Sequence, residues 1–218
     1  METRSQSPVT PERLASLADY SGAPWTPDNH YFVRAEPYMA ALWDGLVWPF
    51  IADCDFTHVL DLAAGHGRNT AFLLKFASHV TVMDIQEGNV AACERRFADQ
   101  KSLSYLKNNG FDFHPVEDNS VTLIYCFDAM VHFDSDVIRS YLCDARRILK
   151  PGGRAFLHHS NYTGGHDWRQ NPAARNFMSR ALFEHYAVKE SLGIVRQQII
   201  NWGADVEIDC LSLIEKPG

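Results

Sequence analysis

The stretch Val59-Leu60-Asp61-Leu62-Ala63-Ala64-Gly65-His66-Gly67-Arg68-Asn69-Thr70 constrains this chain more than any other, because it runs an apolar strand through a glycine turn into a helix start. Gly65 and Gly67 carry no Cβ, so the backbone there can take positive φ and come within contact distance of a ligand. Asn69 or Thr70 starts the helix, whose free N–H groups face the turn as they do in nucleotide cradles. A second apolar run, Val80-Thr81-Val82-Met83, ends in Asp84, where a parallel neighbour strand would deliver a carboxylate to the vicinal hydroxyls of a ribose.

Two departures argue against a dinucleotide: Thr70 stands where a third glycine is expected, and Asp61 sits within the end of the first strand. At 218 residues the chain has the length of one domain with a full core. Net charge is −7 with no Lys/Arg block, so no nucleic-acid partner is expected. Five scattered cysteines without a C-x-x-C pair read as reduced thiols of a cytoplasmic protein. The polar N-terminus shows neither secretion signal nor membrane span, and no membrane partner is expected.

These residues, with Asn109-Gly110, Asp118-Asn119-Ser120-Val121 and Leu149-Lys150-Pro151-Gly152-Gly153, are similar to the ordered motifs of class I S-adenosylmethionine-dependent methyltransferases. The resemblance covers residues 55 to 214, with Ala63-Ala64 in place of the usual Gly-Cys pair. It implies an α/β, Rossmann-like seven-stranded sheet in the order 3-2-1-4-5-7-6 with helices on both faces and strand 7 antiparallel. The residues agree on the last point, since the runs Ile194–Ile200 and Val206–Ile214 are too close for a helical crossover and must pair antiparallel. The implied cofactor is S-adenosyl-L-methionine, leaving as S-adenosyl-L-homocysteine. Its expected contacts are Asp61, Ala63, Gly65, Gly67, Asn69, Asp84, Ile85, Asn109, Gly110, Phe111 and Phe127, with Tyr38 from the arm. Asn109 can meet both edges of adenine and Phe111 can wall the ring, although Asn109-Gly110 also reads as a plain turn.

Residues 1–50 read as an arm and lid helix, and 51–218 as the methyltransferase domain, within one folded unit. Met1 to Asp19 is expected to be mobile or loosely docked, and Ser21-Gly22-Ala23-Pro24 with Thr26-Pro27 breaks regular structure. Trp25, His30, Tyr31, Phe32, Tyr38, Trp43 and Trp48 are too many large rings for a solvated tail. Pro37 opens a helix with Tyr38, Leu42 and Leu46 on one stripe, which serves either packing on the sheet or a lid over the ligands.

The run Val121–Phe127 is apolar throughout and fits a central strand buried on both faces. Its end delivers Asp128 and His132, and the fifth strand ends in His158-His159-Ser160-Asn161. A hydroxyl acceptor gains from a general base, and His132 is the first choice, followed by His158 or His159 and Asp128. Strand alternation lets only one of His158 and His159 face the site. His132 could equally hold a backbone carbonyl. Asp128 with His132-x-Asp134 could offer oxygen ligands to Mg2+, but no recognised ligand pattern supports a metal site. The segments Phe127–Phe133 and His158–Asn161 resemble those of bacterial methyltransferases acting on sugars or glycosides, so a small-molecule hydroxyl is the expected acceptor. The alternatives are N-methylation of a small amine, a non-catalytic cofactor-binding accessory protein, and a nicotinamide dehydrogenase.

Overall fold

The computed structural model describes residues 9–218, so the expectation of mobility for the segment before Val9 lies outside the described residues. Seven strands form one sheet in the order β3-β2-β1-β4-β5-β7-β6. They are β1 (Val59–Leu62), β2 (Val80–Asp84), β3 (Leu103–Lys107), β4 (Val121–Cys126), β5 (Leu149–Ser160), β6 (Gly193–Trp202) and β7 (Asp205–Glu215). The first five run parallel, and β7 enters antiparallel to both β5 and β6. Every residue of β1, β2 and β4 is buried. That is why these strands read as unbroken apolar runs, because helices cover both faces of a parallel sheet.

On one face lie two helices, Ser135–Ile148 and Arg180–Lys189, which bury Ile138, Tyr141, Leu142, Phe183 and Ala187 against the sheet. Asp134 caps the first of them, its carboxylate accepting the Asp136 N–H at 2.8 Å. The other face is covered by the helical segment of residues 39–51, which buries Met39, Trp43, Val47, Phe50 and Ile51. Its buried positions recur every fourth residue, wider than the 3.6 of an α-helix. A π-helical turn at Trp43–Val47 absorbs the mismatch and keeps the stripe on the sheet. The stripe therefore runs one residue on from that expected from Tyr38, Leu42 and Leu46.

One expectation is overturned at the N-terminus. Pro11–Gly22 is a helix, not a mobile arm: Thr10 caps it by accepting the Arg13 N–H, Pro11 sits at its start, and Leu14, Ala18, Ser21 and Gly22 are buried. Its apolar positions are mostly small, so the stripe is weak in the sequence. Burial comes from docking over the carboxyl ends of the strands.

Asp61 is fully enclosed within β1 and accepts the Thr70 hydroxyl at 2.6 Å, which fixes where the next helix, Thr70–Leu73, begins. Burial pushes its carboxyl up to about 7. A folded-state pKa above the unfolded value gives stability that is complete below pH 4 and is lost as pH rises to about 7. Asp61→Asn keeps an oxygen for Thr70 and carries no charge. Its unfolding free energy relative to wild type should therefore improve by about 4 kcal/mol between pH 4 and pH 7, at about 1.4 kcal/mol per pH unit, and level off above that. Urea denaturation at a series of pH values measures this.

Candidate active site

A cleft open to solvent at its mouth lies beyond the carboxyl ends of β1, β2 and β4, where open α/β sheets bind their ligands. The β1 turn supplies its floor. Ala63 and Gly65 both lie at positive φ, and a Cβ on Gly65 would come within 2.4 Å of Phe32 Cε1. Asp84 closes β2 and is buried. One of its oxygens accepts the Gly65 N–H at 2.9 Å, and the other accepts Gln86 N–H at 2.8 Å and Asn89 Nδ2 at 3.2 Å. Burial raises this carboxyl above the usual range, although those bonds pull the other way. A carboxylate has about four lone-pair sites, so capacity remains for a ribose hydroxyl.

Further along, Asn108 donates to Tyr141 Oη at 2.8 Å and to the Asp112 carbonyl at 3.2 Å, leaving its Oδ1 buried without a partner. Asn89 likewise has a buried, unpartnered Oδ1, and both side chains line the cleft. Buried acceptors without donors are costly, and an adenosine with its exocyclic amine and ribose hydroxyls would satisfy them. Small residues give room: a Cβ on Gly110 would meet Ile85 Cδ1 at 2.4 Å and Ala18 Cβ at 2.7 Å. The residues present therefore fit S-adenosylmethionine.

The N-terminal segment roofs this cradle from end to end. Helix Pro11–Gly22 lies over the Gly110 end, Trp25 sits beside His132 with ring centroids 4.8 Å apart, and Phe32 stacks on His66 at 4.2 Å. Backbone carbonyls tie the roof down, Gly22 accepting from Gln86 Nε2 and Trp25 from Asn89 Nδ2.

At the acceptor end, the loop after β4 presents Asp128 and His132. Arg68 pairs with Asp128 at 2.9 Å, and the Tyr31 hydroxyl donates to the same carboxylate oxygen. Burial and the Asp128 charge both push the Tyr31 phenol up, so it remains a donor. Arg68 also donates to the Ala35 carbonyl at 3.3 Å and so clasps the roof from below. His132 donates from Nδ1 to the Ala174 carbonyl at 3.1 Å, which places its proton on Nδ1 and leaves Nε2 as the acceptor. Burial pushes this imidazole down to about 4, so it is neutral across physiological pH.

Of the residues expected from the sequence, Ala63, Gly65, Asn69, Asp84, Ile85, Gly110, Phe127, Asp128 and His132 line the cleft, and the others do not. Asp61 lies beneath the turn on Thr70, and Gly67 is a packing glycine whose Cβ would meet Phe97 at 2.4 Å. Asn109 is exposed and spends its Oδ1 on the Phe111 and Asp112 N–H groups, so Asn108 takes the expected place beside the adenine end. Phe111 packs against the sheet core instead of walling the cleft. Tyr38 is 68% exposed, and Tyr31 is the arm tyrosine that enters. His159 points to the opposite face, stacked on Phe183 and bonded to Ser160 and Ser212. His158 is buried behind the acceptor loop. Asp134 is occupied as a helix cap, and among the described residues no group of three or more His, Cys, Asp or Glu could hold a metal ion. Arg68 was not anticipated; a basic residue directly after the second turn glycine is the signal that could have found it.

The strand order and the strand-end cradle define the class I methyltransferase fold. Residues 59–153 match the family model described as a methyltransferase domain. It is 32% identical over 120 residues to demethylmenaquinone methyltransferase of Clavibacter sepedonicus, covering 53% of this chain and 46% of that protein. It is 28% identical over 104 residues to phosphoethanolamine N-methyltransferase 1 of Triticum aestivum, covering 47% and 21% respectively. The chain thus spans less than half the length of these curated relatives. The N-methyltransferase NodS of Bradyrhizobium japonicum, solved with S-adenosyl-L-homocysteine, shares the fold with a TM-score of 0.71 at 14% identity, covering 93% of this chain and 99% of its own.

Tyr31→Phe removes a hydrogen bond to a charged group and keeps the ring. It should lower the unfolding free energy by about 2 kcal/mol and speed proteolytic cleavage between Trp25 and Glu36, measured by thermal denaturation and limited trypsinolysis.

Proposed function

We propose that this protein transfers a methyl group from S-adenosylmethionine to a hydroxyl of a small neutral molecule, a sugar or glycoside. The observation that carries the hydroxyl reading is His132. It is a neutral imidazole in the cleft wall whose Nδ1 is committed to a carbonyl, so Nε2 is available to accept a proton or a hydrogen bond. The charge balance at this end agrees. Asp128 is already paired with Arg68, so no unpaired carboxylate waits for a cationic amine. Trp25, Tyr31 and Phe32 give rings on which a pyranose can lie. The relatives are named for demethylmenaquinone and for phosphoethanolamine N-methylation, so similarity alone does not choose the acceptor.

The cofactor, when bound, supplies an electrophilic methyl group on a sulfonium. The chain's own part begins with Asp84, Asn89 and Asn108, which would hold the adenosine, while Ala63 and Gly65 would let the backbone approach its remaining portion. Phe127 and the Trp25–Ala35 roof cover the cleft and would exclude water from the transfer. His132 Nε2 takes the hydroxyl proton as the oxygen gains its new bond, and the Ala174 carbonyl stabilises the charged ring through Nδ1–H. The thiols Cys54, Cys93, Cys126, Cys143 and Cys210 are free, which supports a cytoplasmic, reducing location. Among the described residues no helix is long and apolar enough to cross a membrane.

Titration calorimetry with S-adenosylhomocysteine should show binding that weakens at least tenfold in Asp84→Ala. An unchanged affinity there would remove the cofactor assignment. His132→Ala should lower turnover of a glycoside acceptor by about 10²-fold or more with cofactor affinity kept; retained turnover would favour an amine acceptor. The active form of His132 is neutral. With its pKa at about 4, the rate should be flat above about pH 6 and fall as pH drops through 4, measured with S-adenosyl-[methyl-³H]methionine.

A further inference from the structure

The buried residues His158 and Asp209, with the partly buried Arg175, lie behind the cleft wall. His158 Nδ1 accepts the backbone N–H of Asp128 at 3.1 Å, so the ring proton sits on Nε2. That Nε2 lies 3.2 Å from Asp209 Oδ2, off the line of a hydrogen bond. Arg175 meets the same carboxylate with two prongs, Nε to Oδ1 at 3.0 Å and Nη2 to Oδ2 at 2.8 Å. His158 and Asp209 are both fully enclosed. Burial pushes the Asp209 carboxyl up, and the His158 and Arg175 contacts outweigh it and hold the group below the usual range. An ion pair with one member enclosed and the other partly exposed is a weak source of stability compared with apolar packing, so its use lies in the geometry that it enforces.

The cluster reaches both polar groups of the acceptor end by separate routes. Through His158 it secures Asp128, whose backbone stands at φ +62°, a conformation that a residue with a Cβ rarely adopts. Through Arg175 it anchors the loop of residues 174–176. Within that loop the Ala174 carbonyl holds His132 Nδ1 at 3.1 Å, and the Asn176 N–H donates to the Val131 carbonyl at 3.0 Å. Asp209 is the support common to both routes.

We infer that Asp209, with Arg175 and His158, forms a set of positioning residues that fix the Asp128 carboxylate and the His132 ring relative to each other without touching acceptor or cofactor. The catalytic meaning of the coupling rests on the hydroxyl-acceptor reading; the coupling itself does not. The test is ring-¹⁵N histidine and amide NMR on the full chain, with and without S-adenosylhomocysteine. Wild type should show single tautomers, Nδ1–H for His132 and Nε2–H for His158.

In Arg175→Leu and Asp209→Asn, His132 should become a mixture of tautomers and the Asp128 amide signal should move, while S-adenosylhomocysteine affinity stays within twofold of wild type. Arg175→Lys, which keeps the charge but not the two-pronged contact, should be intermediate and carries the test if Arg175→Leu does not fold. His158→Asn, whose amide oxygen can take the Asp128 N–H, should leave that signal near wild type, whereas His158→Leu should shift it. Wild-type tautomers and an unmoved Asp128 amide in folded Arg175→Lys and Asp209→Asn would overturn the inference whatever the activity. With a glycoside acceptor, Asp209→Asn should cut kcat at least tenfold with KM within about threefold. If instead the spectra change as expected but wild type methylates no hydroxyl, the acceptor reading fails and the coupling stands.

Discussion

The Gly65 N–H that reaches the Asp84 carboxylate at 2.9 Å joins the ends of β1 and β2, and the ligand cleft depends on it. It acts with the Ala64 N–H, which donates to the Met83 carbonyl at 3.2 Å, to hold the glycine turn against the end of β2. Without the Gly65 N–H, Asp84 would stand as a buried charge with fewer donors, an arrangement whose cost rises steeply away from water. The same carboxylate organises the roof at one remove: Asn89, which donates to it, also donates to the Trp25 carbonyl. One acidic side chain thus sets the floor, one wall and part of the cover.

The acceptor end is built on a second carboxylate with different wiring. Asp128 is satisfied by Arg68 from the turn and Tyr31 from the roof, so the N-terminal segment and the electrostatics of the cleft are tied together. Screening and hydration weaken a charge pair that faces water, and the Tyr31 ring and hydroxyl help to keep this one covered.

The sheet was legible in the sequence because doubly buried strands leave continuous apolar runs, as at Val80–Met83 and Val121–Phe127, and because the spacing of the last two runs forces a hairpin. Asp84, Gly65 and the strand-end rule located the cleft. What could not be read was side-chain direction in irregular segments. Asn108 and Asn109 are chemically identical, and only the turn geometry decides which amide faces the ligand and which is spent on its own backbone. His158 and His159 were correctly placed on opposite faces by alternation, yet neither side proved to be the cleft. The long β5–β7 pairing carries them behind it. Helix Pro11–Gly22 is signalled by Thr10 and Pro11 at its start and by buried positions at helical spacing, but those positions are mostly small, so the apolar stripe is faint beside the polar residues around it.

The π-helical turn at Trp43–Val47 makes the register of its helix contingent on one surplus residue. Remove a residue at Gly45, which has open space around it, and the turn can relax to ordinary winding. Everything after it would keep its orientation, because the residue removed is the one that the turn accommodates. If the intact segment wound as an ordinary α-helix instead, Val47 and Ile51 would swing by about 100° from the sheet toward solvent, so the π turn, more than any side chain at Gly45, keeps half of one hydrophobic layer seated.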